Sequence, residues 1–278
     1  MTEHQRAGTY ANNLIEEYLL NEYQKPKDFE SFLYMNQVLQ GDAIKIAMEA
    51  HRRNMPYCMG TLFWQHNDCW PVASWSSRDY YGRWKAQHYF AREAYKDVLV
   101  SPIAKDDKLD IYIVSDRLTE SKGTLNLKII KLDGHIIGSR KLNITIPKNT
   151  SKNVFTASVN DLLKGTAKND VVIHAELTDN KGNIYKNNYF LLQQKNINFP
   201  QANISKTVKP VNEGYEVSLS SDNFARAVFM SVEGIDNFFE NNYFDILPGQ
   251  VTVVKVKTSL SRPEFEKQLK VVSLRDGF

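Results

Sequence analysis

The chain has 278 residues, a formal net charge of +3, and a composition that is 42% hydrophobic, 24% charged and 12% aromatic. This excludes a disordered or collagen-like polymer and suggests two or three folded domains. The 35 basic residues are spread along the chain against 32 acidic ones. Without a dense Lys/Arg stripe, neither nucleic acid nor an anionic membrane surface is an expected partner. No apolar run approaches the ~20 residues of a transmembrane helix, and the polar opening from Met1 to Tyr10 lacks the apolar core of a secretory signal. Two cysteines support neither a disulfide framework nor a four-thiolate zinc site.

In chain order, Leu14, Ile15, Tyr18 and Leu19 share one face of a first helix. Pro26 breaks it, and Asp28 is placed to cap a second. There Phe32, Met35, Leu39, Ala43, Ile46 and Ala50 form an apolar stripe that ends near Asn54, with Pro56 beyond. Residues 57–64, YCMGTLFW, are apolar without alternation, the pattern of a strand buried on both faces of a parallel sheet. A third helix is predicted over Tyr81 to Lys96, with Trp84, His88, Ala91 and Tyr95 on one side. Residues 28–97 thus read as a helix–strand–helix piece of an α/β fold. One buried strand cannot satisfy its own ladder hydrogen bonds. Either a neighbouring chain supplies the missing strands, or the chain is a fragment of something longer, which is the more economical reading.

Beyond residue 100 the period changes to two. Leu109, Ile111 and Ile113 alternate, as do Leu125, Leu127 and Ile129, and further strands are predicted at 136–146, 153–159, 170–178 and 184–192. Asp133-Gly134, Lys164-Gly165 and Asn180-Lys181-Gly182-Asn183 mark turns at roughly ten-residue spacing, the signature of an immunoglobulin-type sandwich. A linker with Pro200 and Pro210 follows, then strands at 214–220, 224–231, 250–257 and 267–274 that predict a second, smaller sandwich.

MGTLFWQHNDCWP at 59–71, the later DYYGRWKAQHY, and NNYFDILPGQ at 241–250 together resemble the β-mannosidases of glycoside hydrolase family 2. The first motif is similar to that family's last barrel strand and its loop, the second to its last barrel helix, and the third to its final immunoglobulin-like domain. The resemblance is strong over 28–97 and weaker over 98–200. It implies a mixed fold: residues 1–98 as the C-terminal remnant of a (β/α)8 barrel, followed by immunoglobulin-like β-sandwiches over 99–196 and 197–278. It also implies a retaining enzyme that removes terminal β-linked mannose without metal or cofactor. The family's two catalytic glutamates stand on earlier barrel strands, which would precede Met1, so the chain alone is expected to be inactive. The exposed remnant is expected to self-associate or to be disordered. The compartment (periplasmic, lysosomal or cytoplasmic) would be decided by the part before Met1. The competing reading is a non-catalytic β-sandwich module that docks a glycan or a protein.

A retaining glycosidase needs two carboxyls ~5–5.5 Å apart, and the sequence offers no such pair: Asp79 leads into a helix and Glu49 lies on the preceding one. No catalytic residue is therefore nominated. The expected substrate-binding residues are Trp64, Asn67 and Asp68. Trp64 ends the apolar strand at the face where barrel sites gather; by the resemblance its ring floors a sugar subsite, and otherwise it caps a core. Asn67 either bonds sugar hydroxyls or braces its loop, and Asp68 either joins it or caps loop amides. Trp70 and Trp75 either line the rim of the pocket or pin the loop, the second being the expected role. Cys58 and Cys69 are expected as buried, unbridged thiols, and His66 as a solvated or satisfied ring with no metal role. Phe238, Phe239, Tyr243 and Phe244 read as core before carbohydrate platform. The sequons at Asn143, Asn149 and Asn203 carry no weight in a chain this rich in Asn.

Overall fold

The computed structural model describes residues 1–8, 10–233 and 237–278. Three helices open the chain: α1 (Ala11–Glu22), α2 (Phe29–Arg53) and α3 (Ala86–Ala94). Asp28 starts α2 by accepting the Ser31 amide at 2.8 Å, which also holds its carboxyl below the ordinary carboxylate pKa. Among the described residues no helix is long and apolar enough to cross a membrane. The chain divides into two compact units, one of Ala43–Phe63 and Ala91–Asn198, the other of Met1–Asp42, Trp64–Phe90 and Phe199–Phe278.

In the first unit, β1 (Val98–Lys105), β2 (Lys108–Ser115) and β5 (Thr150–Ser158) form an antiparallel sheet in the order β1-β2-β5. It faces a second sheet ordered β4-β3-β6-β7, made of β3 (Ser121–Lys131), β4 (Ile136–Ile146), β6 (Val171–Asp179) and β7 (Ile184–Tyr189). Leu109, Ile111 and Ile113 meet Leu125, Leu127 and Ile129 in the core, where alternation has turned both sets inward. A short helix, α4 (Val159–Leu163), adds Leu162 and Leu163 to the rim. The β6–β7 turn is tied by Asp179, which accepts the Lys181 and Asn183 amides at 2.9 Å and the Arg117 guanidinium at 2.9 Å.

The second half of α2 belongs to this unit through a buried polar knot. Glu49 accepts from Asn187 and from Ser101, both at 2.9 Å, and Arg53 and Lys45 stand at 3.7 and 3.5 Å. Asn187 in turn binds the Val100 carbonyl at 3.0 Å. Every partner of this carboxylate is a structural donor.

The other unit holds the second sandwich. One sheet runs β11-β13-β9-β8, from β8 (Ile204–Val211), β9 (Gly214–Ser221), β11 (Phe238–Phe239) and β13 (Val251–Lys257). The other runs β12-β10-β14, from β10 (Ala225–Val232), β12 (Phe244–Ile246) and β14 (Leu269–Val272). Helix α5 (Arg262–Gln268) drives Phe265 into the core, stacked on Tyr215 at 4.7 Å. At a register shift in β10, Arg226 turns to Asp42 and Asp245, at 2.6 and 2.8 Å, and Tyr23 donates to Asp42 at 2.5 Å. Tyr34 donates to the Ala227 carbonyl at 2.6 Å. α2 and α3 approach closely at Gly41, where a Cβ would lie 2.6 Å from the Phe90 ring.

Several expectations need correction. Residues 57–63 form no strand and are not buried: Tyr57 is 97% and Leu62 100% exposed. Among the described residues no strand lies beside them to supply a ladder, and only Phe63 packs inward, against Met48, Ala91 and Ala94. The buried side of α2 is Tyr34, Met35, Val38, Met48, Glu49 and Arg52, whereas Ala43 and Ile46 face outward; the helix is seated by close-fitting and polar groups as well as by its apolar stripe. On α1, Leu14 and Tyr18 are likewise exposed. Helix α3 begins at Ala86, because residues 79–84 close a turn. Residues 204–211 are a strand, with Pro210 tolerated because β8 is an edge. Cys69 is exposed and Cys58 half-buried, and both are free.

The Asp179 cluster sets a pH response. Burial would raise its pKa, but Asn183, Arg117 and Lys181 outweigh that and bring it to about 2 from 3.8. With the folded value below the unfolded one, its stabilisation is complete above about pH 4 and disappears as the pH falls toward 2. Urea midpoints measured from pH 6 to pH 2 should fall less steeply in Asp179→Asn than in the unaltered chain.

Candidate functional site

The candidate site is the loop between α2 and α3. The Trp64–Gln65 peptide is cis, and residues 65–68 then lie parallel to 76–78. The Ser77 and Arg78 amides donate to the Gln65 and His66 carbonyls, each at 2.9 Å, and the Asp68 amide donates to the Arg78 carbonyl at 3.1 Å. From Arg78 the chain makes a closed turn. Asp79 accepts the Arg83 amide at 2.9 Å, Gly82 adopts φ +83°, and the Lys85 amide returns to the Ser77 carbonyl at 3.0 Å.

Asp68 is the centre of this loop. Its carboxylate accepts the Ser74 and Ser76 hydroxyls at 2.5 Å each and the Lys85 ammonium at 3.1 Å, with the side chain 1% exposed. Burial by itself would raise its pKa; the two hydroxyls and Lys85 outweigh that and hold the group below its ordinary value. Lys85 also donates to Ser76 at 2.8 Å. The result is a charge-paired buried knot that binds the 64–68 limb to the 74–78 limb.

Trp64 and Asn67 have a different setting. The Trp64 side chain is 73% exposed at the head of the loop. Asn67 is also exposed; its side-chain amide donates to the Asp68 carbonyl at 3.1 Å, and its own carbonyl accepts from Gln65 at 2.8 Å. Trp64 and Asn67 thus occupy the open side of a limb whose buried side is Asp68. Trp70 stacks on His4 at 5.9 Å, and the Trp75 carbonyl accepts from Gln40 at 2.9 Å, so both tie the loop down. His66 is exposed and meets His88 edge-on at 5.8 Å, while Ser77 lies 3.1 Å from His88 Nδ1. Phe239 and Tyr243 are buried, and Phe238 packs edge-on against Trp84 at 5.2 Å.

Sequence reasoning missed Ser74, Ser76 and Lys85. They stand 6, 8 and 17 positions from Asp68, spacings without helical or strand period. The nearest signal was the unusual run of serines at 74, 76 and 77, which only the folded loop explains.

A Mannosidase Ig/CBM-like domain family matches residues 107–196, and an Ig-fold domain family of mannosidases matches 199–277. The β-mannosidase of Bos taurus is 30% identical over 275 residues, covering 94% of this chain and 31% of that protein. Beta-mannosidase A of Neosartorya fischeri is 25% identical over 240 residues, covering 80% and 26%. The crystal structure of a β-D-mannosidase from Dictyoglomus thermophilum aligns with a TM-score of 0.86 at 28% identity, covering 98% of this chain and 33% of that one. The exo-chitosanase of Amycolatopsis orientalis shares the fold at 16% identity and a TM-score of 0.73. The chain spans about a third or less of the curated relatives it matches.

The Asp68 knot makes a testable demand. Lys85→Met leaves a buried carboxylate without its counter-charge and should destabilise by about 3–5 kcal/mol. Adding Asp68→Asn should recover a large part of the loss, and equilibrium denaturation of the two single variants and the double variant measures that coupling.

Proposed function

We propose that the chain, which belongs to the β-mannosidases of glycoside hydrolase family 2 as a C-terminal portion of one, comes from an enzyme that hydrolyses terminal β-linked mannose with retention. Residues 1–98 are its barrel remnant, and 99–196 and 197–278 its accessory sandwiches. The observation that carries the reading is the state of residues 57–64. This apolar segment has no ladder partners among the described residues and ends in an exposed Trp64, which leads straight into a loop held rigid from beneath. Added as a strand to a barrel, it would gain its hydrogen bonds and cover Met59 and Leu62. Trp64 would then stand at the mouth, where barrel active sites are built.

In this reading each residue has one task. The Trp64 ring meets the apolar C–H face of the mannose ring. Asn67 exchanges hydrogen bonds with its hydroxyls. Asp68 is a positioning residue: with its oxygens taken by Ser74, Ser76 and Lys85, it fixes the limb that carries Asn67. Asp79 is likewise engaged, by the Arg83 amide. The nucleophile and the acid/base would come from glutamates on earlier barrel strands, ~5–5.5 Å apart.

Two outcomes follow. In the intact protein, Trp64→Ala should lower kcat/KM for an aryl β-mannoside more than tenfold, about 1.4 kcal/mol, and leave the melting temperature nearly unchanged because the ring is exposed. A sharp fall in melting temperature with normal kinetics would show the ring to be packing. The 278-residue chain alone should show no turnover. Its bare apolar surface around Tyr57 and Leu62 should make it self-associate in light scattering, and a clean monomer would count against the barrel assignment.

A further inference from the structure

We infer that Tyr80 and Tyr81 form a second carbohydrate contact, on the leaving-group side of the pocket; this rests on the reading of Trp64 and Asn67 as pocket residues. The two rings are 51% and 60% exposed and meet edge to face, 5.2 Å apart at 78°, making an open aromatic corner. Their turn is stiff. Asp79 closes it at both ends through the Arg83 and Gly82 amides, and the Arg78 guanidinium grips the Gly82 carbonyl at 3.3 Å. The Arg83 guanidinium lies over the Tyr81 ring at 5.0 Å and holds its orientation. Below the turn, Trp84 is anchored against Tyr89 and Phe238, each at 5.2 Å. The aromatics of this short stretch are thus sorted into an anchor and two outward rings.

Placement ties the corner to the pocket. Arg78 bridges Asn67 directly, and Tyr80 is two residues further on. Its Cα therefore lies within about 12 Å of that of Asn67, from the strand spacing plus two Cα steps. A sugar held at Trp64 and Asn67 would extend its next ring within reach of such a corner. Tyrosine suits the task, since it gives an apolar face and a hydroxyl while freezing only two side-chain torsions, and a prebuilt turn has little ordering left to undergo on binding. Size favours a sugar over a protein: the two exposed faces amount to about 100 Å² each, against roughly 800 Å² per side of a stable protein interface.

The test compares two substrates in the intact protein. One is a linear β-linked mannotriose, which has sugar rings beyond the cleaved bond; the other is β-mannosyl fluoride, which has none. Tyr80→Ala and Tyr81→Ala, singly and together, should lower kcat/KM for mannotriose at least fivefold and leave that for the fluoride within twofold. Tyr→Phe at both positions should retain most of the mannotriose activity, because the ring face remains. Unchanged mannotriose kinetics in the alanine variants, or an equal loss on both substrates, would overturn the inference while leaving the enzyme reading intact. An intact wild-type protein that hydrolyses neither substrate would overturn both. Thermal melts of each variant identify any loss that comes from unfolding.

Discussion

The guanidinium of Arg226 is buried between two carboxylates, Asp42 on α2 and Asp245 on β12. Its burial alone would weaken its hold on a proton, and Asp245 and Asp42 together more than offset that. A register shift in β10 brings it there: Ala227 takes the left-handed φ of +51°, its amide binds Asp245 at 3.0 Å, and its carbonyl receives Tyr34. Because removing one member of a buried charge pair costs about 3–5 kcal/mol, this contact strongly fixes the first half of α2 on the sheet. One side of the candidate loop hangs from that half-helix. Gln40 holds the Trp75 carbonyl, Gln37 receives the Ala86 amide at 3.3 Å, and Gly41 admits Phe90.

Carboxylates in this chain are mainly fasteners. Asp68 ties two limbs of a loop, Asp179 closes a hairpin, Glu49 secures a helix, and Asp42 and Asp245 clamp an arginine. In each case the oxygens are taken up by hydroxyls, amides or a cation, so the group serves the structure. A general acid needs the opposite arrangement, a carboxyl in apolar surroundings whose proton is retained near neutral pH. These carboxylates serve as a scaffold that keeps the candidate loop and the sandwiches in shape.

The legible parts were those written locally. Strand β4 matches its expected bounds of 136–146, because a period of two and the Asp133-Gly134 turn specify it without outside help. The start of α2 was readable from Asp28 and its end from Pro56, yet the side it buries was not. Tyr34 and Arg52 face inward because of partners far along the chain, Ala227 and Asp116. Residues 57–64 have the composition of a buried strand, but a ladder needs neighbours, and none stands beside them among the described residues. Strand β8 was hidden by Pro210, which only its edge position permits. In the candidate site, Trp64 and Asn67 stand out because resemblance marks their motif. The hydroxyls and the lysine that seat Asp68 could not be found, since nothing in the spacing of Ser74, Ser76 and Lys85 announces that they converge.

Helix α2 changes allegiance in mid-course: residues up to Asp42 count with one compact unit, and those from Ala43 with the other. The sandwich of β1 to β7 therefore does not begin where its strands begin. Shuffled into another gene as residues 99–198, it would lose Glu49 and Arg53 and leave Asn187 and Ser101 facing a missing carboxylate. A stretch that keeps this packing intact carries residues 43–63 with it, so the compact unit is larger than its β-strand pattern suggests and its border runs through the middle of a helix.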